Sequence, residues 1–196
     1  DFEGVIGRFG EEPQLIPVLA SDLITDEDLD DPGDENVIPI ADARAESDGT
    51  QVTVEGIVTR SRGRYVRFQD DSAGLTIFDG GADFSDNLSR GDSIRVTSTL
   101  DSFNEARQLE TPVEDLLILS TGNPLPDPLE ITLEELNANI EGDEVLLESQ
   151  LVRVEALTIN TSDVVFQSST TYDIEDATDA GSLRLQQDRD TALDGE

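Results

Sequence analysis

Four arginines lie within eight positions of the chain, in the stretch TRSRGRYVRF at residues 59–68. They are Arg60, Arg62, Arg64 and Arg67. The whole chain has only 12 cationic residues, all of them arginine, against 45 acidic ones, and its formal net charge is -33. Guanidinium groups bind phosphate and carboxylate oxygens through paired hydrogen bonds, and an aromatic ring beside them can stack on a nucleic-acid base. The stretch, which also contains Tyr65, is therefore a candidate anion-binding site in an acidic protein.

The residue types that are absent limit the chemistry of the chain. His, Lys, Cys, Met and Trp do not occur in it. This excludes a histidine or lysine general base, a thiol nucleophile and a zinc site built from Cys and His. We therefore expect a protein that is not an enzyme, with no catalytic residues and no cofactor. Among the functions considered, we rank last a catalytic one, in which an acid cluster and a divalent ion serve as an accessory part of an extracellular nuclease or phosphoesterase.

The acidity has two interpretations. A sequence pI near 4.1 argues against nucleic-acid binding at first sight, because phosphate neutralisation needs positive charge. The composition also resembles that of proteins from extreme halophiles, and in molar salt the Debye length is only about 3 Å. The net charge of the whole chain then says little about the charge of one binding face.

No apolar stretch is long enough to span a membrane. The start at Asp1 suggests a fragment of a longer secreted or surface protein.

Two polar joints divide the chain. One is an acidic run broken by Pro32 and Gly33, and the other carries Pro124, Pro126 and Pro128. The predicted organisation is a C-terminal part of a repeat over 1–24, an acidic linker over 25–37, a complete domain over 38–119, a proline-rich linker over 120–130 and the N-terminal part of a further repeat over 131–196.

An internal repeat underlies this division. Ile38–Val58 aligns without gaps on Ile131–Leu151, an offset of 93, and Gly4–Leu15 aligns on Ser98–Leu109, an offset of 94. The N-terminal piece thus resembles the end of a unit and the C-terminal piece its beginning. This predicts that residues 1–24 complete the C-terminal piece as a second domain.

The central block alternates like a series of strands. The predicted inward pairs are Val52 and Val54, Val66 and Phe68, Leu75 and Ile77, and Ile94 and Val96, with a last short strand at Gln108–Leu109. Gly56 is expected to mark a bulge or bend, and Phe84 and Leu88 to anchor a short helical connection before the fourth strand. Three strands, a connection and two strands are typical of the five-stranded OB barrel. We therefore predict an all-β fold with one complete OB-type barrel and partial OB-like units at both ends.

Residues 36–122 resemble the OB-fold domains of secreted bacterial nucleases and related multidomain surface proteins. The resemblance rests on VTVEGIVT, YVRFQDDSAGLTIF, GDSIRV and FNEARQLE, in that order. It implies a non-catalytic accessory module that binds nucleic acid or another ligand.

The arginine stretch falls on the first hairpin of the predicted barrel, beside the face on which OB folds bind oligonucleotides and oligosaccharides. The predicted site for single-stranded nucleic acid consists of Arg60, Arg62, Arg64, Tyr65, Arg67, Thr76 and Phe78. The arginines would contact phosphates, and the two aromatic rings would stack on bases. Alternatively, the arginines pair with neighbouring acids such as Asp70 and Asp71 and only keep the hairpin soluble.

Two further alternatives remain at this point. The barrels could be structural or adhesive modules that contact proteins, oligosaccharides or neighbouring repeats of the same protein. Asp26, Asp28 and Asp30 alternate as in a calcium loop, but Asp31 stands where the sharp-turn glycine belongs, so calcium is only a weak candidate and no metal site is predicted.

Overall fold

The computed structural model describes ten stretches of the chain. They are residues 5–9, 12–16, 36–81, 84, 87–104, 106–110, 115–140, 147–161, 166 and 170–184. Its contacts divide the chain into two units, Asp1–Val37 and Ile38–Glu196. In the first unit, β1 (Val5–Phe9) and β2 (Glu12–Ile16) form an antiparallel hairpin. Residues 25–35 of the predicted acidic linker lie outside the described stretches.

The second unit begins with a short helix and six strands that form one sheet. The elements are α1 (Ile40–Ala45), β3 (Gln51–Arg62), β4 (Tyr65–Gln69), β5 (Gly74–Phe78), β6 (Ser93–Phe103), β7 (Ala106–Leu109) and β8 (Asp115–Ser120). The strand order is β3-β4-β5-β7-β6, and β6 also pairs with β3, which closes the ring. All these pairings are antiparallel except β5 with β7. The all-β prediction and the OB-type barrel are thus confirmed, and β8 adds a sixth strand along β6.

The core of the barrel follows from the alternation along the strands. The predicted inward residues of the first four strands are all buried, and Ile40 and Ala43 of α1 cover one end of the core. Leu88 is buried in the same cluster and Phe84 packs against it, as predicted. Burial of these side chains from water is the main stabilising contribution to such a fold.

The irregularity predicted at Gly56 lies elsewhere. Strand pairing shifts between Val58 and Arg60, so that Val58 opposes Phe68 and Arg60 opposes Arg67. Gly56 has a different role, because a Cβ there would lie 2.7 Å from the carbonyl oxygen of Gln69. A residue without a side chain lets β4 approach β3 this closely.

The turn between β4 and β5 also holds the start of helix α1. Asp70 Oδ2 accepts a hydrogen bond from the Ile40 amide at 2.8 Å, and Ser72 Oγ accepts one from the Ala41 amide at 3.0 Å. Asp70 Oδ1 accepts from the amides of Ser72 and Ala73. These bonds satisfy amides that have no partner within the helix itself.

A second set of elements follows the barrel. They are β9 (Leu129–Ile131), α2 (Leu133–Ile140), β10 (Val152–Val154), β11 (Thr158–Asn160), β12 (Thr171–Glu175) and β13 (Ala180–Arg184). Strand β9 pairs with β10, and β11, β12 and β13 form an antiparallel sheet. Helix α2 begins with a capping box, in which the Glu135 amide donates to Thr132 Oγ1 at 3.2 Å and the Thr132 amide donates to Glu135 Oε2 at 2.8 Å.

The turn between β12 and β13 holds α2 as the turn between β4 and β5 holds α1. Asp176 Oδ2 accepts from the Leu133 amide at 2.8 Å, and Thr178 Oγ1 accepts from the Glu134 amide at 3.2 Å. The pairing of β12 with β13, from Thr171–Arg184 to Glu175–Ala180, repeats that of β4 with β5 at an offset of 106. The two turns also share a backbone hydrogen bond, from the Asp70 amide to Ala73 in the first and from the Asp176 amide to Asp179 in the second.

The hairpin β1–β2 repeats another part of the barrel. Ile6 pairs with Leu15 and Phe9 with Glu12, as Leu100 pairs with Leu109 and Phe103 with Ala106 in the β6–β7 hairpin. The offset is 94 in every pair, which is the offset found in the sequence. It stays a prediction that residues 1–24 complete the C-terminal piece, residues 131–196, as a second domain.

The capping carboxylate in the second turn gives a pH-dependent prediction. Hydrogen bonds from the Thr178 hydroxyl and the Leu133 amide hold the pKa of Asp176 well below its ordinary value. The carboxylate therefore stabilises the fold above its unfolded pKa of about 4, and this contribution is lost as pH falls from there towards the lowered pKa. Asp176→Asn should speed hydrogen exchange of the Leu133 amide at neutral pH, and the gap to the unsubstituted protein should narrow below about pH 4. A gap that does not change with pH would contradict this role.

Candidate functional site

The first hairpin of the barrel brings four of the predicted residues together. The shifted pairing sets Arg60 opposite Arg67, and Arg62 lies opposite Tyr65. The Thr59 hydroxyl, at the shift, donates a hydrogen bond to the Arg67 carbonyl at 3.2 Å. The bulge therefore aligns the arginines of β3 with the arginine and tyrosine of β4. Arg64 lies in the connecting turn, is exposed, and follows Gly63 with φ 55°.

Two aromatic rings lie beside these arginines. Tyr65 opposes Phe78 across β4 and β5, with ring centroids 4.8 Å apart and planes inclined by 39°. The guanidinium carbon of Arg67 lies 5.9 Å from the centroid of the Tyr65 ring, within reach of a cation–π interaction. Both rings are half-buried. They form a small apolar platform with positive charge at its edge.

A groove of about 590 Å³ adjoins the arginines. It is lined by Thr59, Arg60, Ser61, Arg67, Leu88, Ser89, Arg90, Ser149, Gln150 and Leu151. Three of these residues are arginines and four carry hydroxyl groups, and the lining that the structure describes contains no carboxylate. In a chain of this composition, such a lining creates a local environment suited to an anion.

Thr76 faces the same side as Arg67 but is not open to solvent. It opposes Arg67 across β4 and β5 and is 7% exposed, because its hydroxyl lies 2.7 Å from the hydroxyl of Ser149. The covering segment consists of residues 147–151. Of the seven predicted residues, Thr76 is therefore the one that this segment takes away from a ligand.

Several contacts hold the covering segment in place. The Leu151 amide donates to Gln69 Oε1 at 2.7 Å, and Glu148 pairs with Arg44 at 2.9 Å and accepts a bond from the Arg107 amide at 3.1 Å. Half of the face of β4 and β5, from Gln69 to Thr76, is thus occupied by the chain's own backbone. The other half carries the ring pair of Tyr65 and Phe78.

Gly74 permits this close approach and gives a prediction. A Cβ at Gly74 would lie 2.5 Å from the carbonyl carbon of Ser149 and 2.7 Å from the Gln150 amide nitrogen, so one of the two backbones must move. Gly74→Ala is expected to displace the covering segment and to speed hydrogen exchange of the Leu151 amide. Gly81→Ala is the matched control, because its Cβ would meet Asp79 at an ordinary 3.5 Å. Unchanged exchange at Leu151 in Gly74→Ala would show that the segment is not held there.

The acidic neighbour considered in the sequence has a structural role. The Asp70 carboxylate accepts the bonds that start α1 and order its own turn. Elsewhere, acids pair with arginines that tie elements together, as in Arg44–Glu148 and the 2.6 Å pair of Arg95 with Glu55. Asp70 therefore serves the fold, whereas pairing of the hairpin arginines with Asp71 or other acids stays an alternative.

Two residues of interest were not predicted from the sequence. Arg90 lies in the connection before β6 and lines the groove, although it is 23 positions from Arg67 in the chain. Phe103, at the tip of the β6–β7 hairpin, is 62% exposed, on a loop that often contributes to ligand binding in OB folds. An aromatic residue beside the polar turn FNEAR was the available signal for Phe103. No local signal marks Arg90.

The weak calcium candidates Asp26, Asp28 and Asp30 lie outside the described stretches. Within those stretches, no three metal-ligating side chains lie close enough to hold an ion. The helices that the structure describes are all too short or too polar to cross a membrane.

Comparisons with known proteins give only distant similarities. No protein-family model matches the chain, and no curated protein matches it. Among solved structures, the hypothetical protein ygiW from E. coli is 18% identical over 42% of this chain and 89% of its own, with a TM-score of 0.35. The telomere capping protein Ten1 from Saccharomyces pombe is 13% identical over 42% of this chain and 79% of its own, also with a TM-score of 0.35.

Proposed function

We propose that the central barrel binds single-stranded nucleic acid through its first hairpin and the half of the β4–β5 face that carries Tyr65 and Phe78. The observation that carries the proposal is the Tyr65–Phe78 ring pair, with Arg67 at its edge. Aromatic rings next to cations bind single strands with little sequence preference, because every base has a face that stacks. Arg60, Arg62, Arg64 and Arg67 contact the phosphates on either side of the stacked bases.

The local charge supports this assignment. Residues 51–122 hold seven of the 12 arginines and have a net charge of -5, against -13 for residues 1–50 and -15 for residues 123–196. The acidic remainder repels nucleic acid at low salt and is screened at high salt, whereas contacts made within the site are screened less. Binding then persists at ionic strengths at which a purely electrostatic binder would dissociate.

The test is fluorescence anisotropy with a short labelled single strand at low and high salt. Each phosphate contact adds about 0.7 to the slope of log affinity against log salt for single strands. Arg62→Ala with Arg64→Ala should weaken binding and reduce the magnitude of this slope by about 1.4. Arg153→Ala is the control, since Arg153 lies outside the hairpin and its ion pair with Glu130 is exposed. Absence of binding by the unsubstituted protein at every salt concentration would refute the proposal.

The module acts, in this proposal, as a non-catalytic part of a secreted or surface protein adapted to salt. A second role, contact with neighbouring repeats, is favoured by one observation. Asp173 and Glu175 of β12 stand at the positions that Arg67 and Gln69 hold in β4, so the corresponding face of the C-terminal unit is acidic. Concentration-dependent association in sedimentation velocity, abolished by Asp173→Asn with Glu175→Gln, is the result expected of that role.

A further inference from the structure

We infer that the groove beside the first hairpin binds the terminal phosphate of a nucleic-acid strand. This rests on the proposed function, which it deepens by assigning a strand end as the ligand and Arg90 as its recognition residue. The groove and Arg90 were not part of the site predicted from the sequence.

The covering segment limits the course of a strand over the barrel surface. Bases that stack on Tyr65 and Phe78 lead, along β4, to Arg67. The covering segment then blocks the face, since Ser149 lies on Thr76 and the backbone of residues 149–150 lies directly over Gly74. The groove adjoins Arg67, and residues 149–151 of that same segment form one of its walls, so we place the continuation of the strand there.

The side chains that line the groove suit a phosphate group. Arg60 on β3, Arg67 on β4 and Arg90 on the connection before β6 line it from three separate elements. Ser89 and Ser149 add hydroxyl groups to the lining, of which that of Ser149 is also bonded to Thr76. A terminal phosphate monoester carries about -1.5 to -2 charges and three strong acceptor oxygens, against one charge for a diester within the strand. Several guanidiniums around one small volume therefore favour the monoester.

The groove is large enough for a terminal nucleotide. About 590 Å³ accommodates a phosphate with its sugar and base, and lies within the usual range of small-ligand sites. The segment that forms its far wall is fixed by the Gln69–Leu151 hydrogen bond at 2.7 Å and the Arg44–Glu148 ion pair at 2.9 Å. The wall is thus built by the fold before any ligand arrives.

The experiment compares one labelled sequence with four kinds of end: a 5′-phosphate, a 3′-phosphate, hydroxyl groups at both ends, and a covalently closed circle. The full chain should bind one of the phosphorylated strands about tenfold more tightly than the hydroxyl-ended strand and the circle, as expected for one or two charge-assisted hydrogen bonds. Which of the two phosphorylated strands is preferred shows the polarity of the bound strand.

The variant Arg90→Ala should reduce this preference to a factor of about one to two, the size of a surface charge effect. Arg153→Ala removes the same charge outside the groove and should keep the preference. Equal binding of all four ligands by the unsubstituted protein would overturn the inference while leaving the proposed function intact, and so would an equal loss of preference in both variants. Failure of every ligand to bind would refute the proposed function itself.

Discussion

Replacing Phe68 by alanine is expected to destabilise the central barrel by about 3–5 kcal/mol. Phe68 is completely buried and is the largest of the fully buried side chains. Its ring belongs to the core cluster, and one of its carbons would be 2.9 Å from a Cβ at Gly56, which shows how tightly β3 and β4 approach there. Because the surrounding core is close-packed, it relaxes only partly into the cavity that alanine leaves.

Urea unfolding followed by circular dichroism, at one fixed salt concentration, measures this effect. Phe103→Ala is the matched control, because Phe103 is 62% exposed and its loss should change the free energy of unfolding by less than about 0.5 kcal/mol. Similar losses in the two variants would contradict the assignment of the core. The free energy of unfolding of a domain is only about 5–15 kcal/mol. Phe68→Ala is therefore expected to leave the barrel marginally stable or unfolded.

Tyr65→Ala is expected to lower the affinity for a single strand by about 1–3 kcal/mol, a factor of roughly five to 150. The substitution removes one ring of the 4.8 Å pair with Phe78 and the surface over which Arg67 lies. It therefore removes both base stacking and the cation–π contact that orients the guanidinium. The barrel should stay folded, since Tyr65 is only half-buried.

Tyr65→Phe separates stacking from the hydroxyl group. It keeps the ring and should bind within about twofold of the unsubstituted protein, if stacking supplies the energy. Anisotropy titrations at one salt concentration compare the three proteins, and circular dichroism confirms that each is folded. An unchanged affinity of Tyr65→Ala would show that the ring pair is not a base-stacking surface.

The barrel was predictable because its signals are local. Alternation at Val52 and Val54, Val66 and Phe68, and Ile94 and Val96 defines both the strands and their inward faces. The acidic turns at Asp70 and Asp176 likewise mark the strand pairs that they connect. The position of the bulge was wrong because a glycine in a strand signals either a bulge or a close approach, and only packing distinguishes the two.

The composition of the site was less predictable because it depends on contacts between distant segments. Thr76 was expected to face a ligand, and its strand position does point that way, but Ser149, 73 positions later in the chain, covers it. Arg90 reaches the groove through the connection before β6, whose course carries no periodic signal. Sequence patterns give the direction of a side chain along its own strand, whereas its neighbours are set by the tertiary fold.

Backbone amide chemical shifts, recorded by NMR while a short single strand is added to the full chain, test the central claim most directly. The largest changes are expected on residues 59–67 and 76–78 and on the connection around Arg90, whereas β11, β12 and β13 should change little. Shifts confined to the C-terminal sheet, or no shifts at a saturating concentration of the strand, would contradict the assignment of the first hairpin as the binding surface.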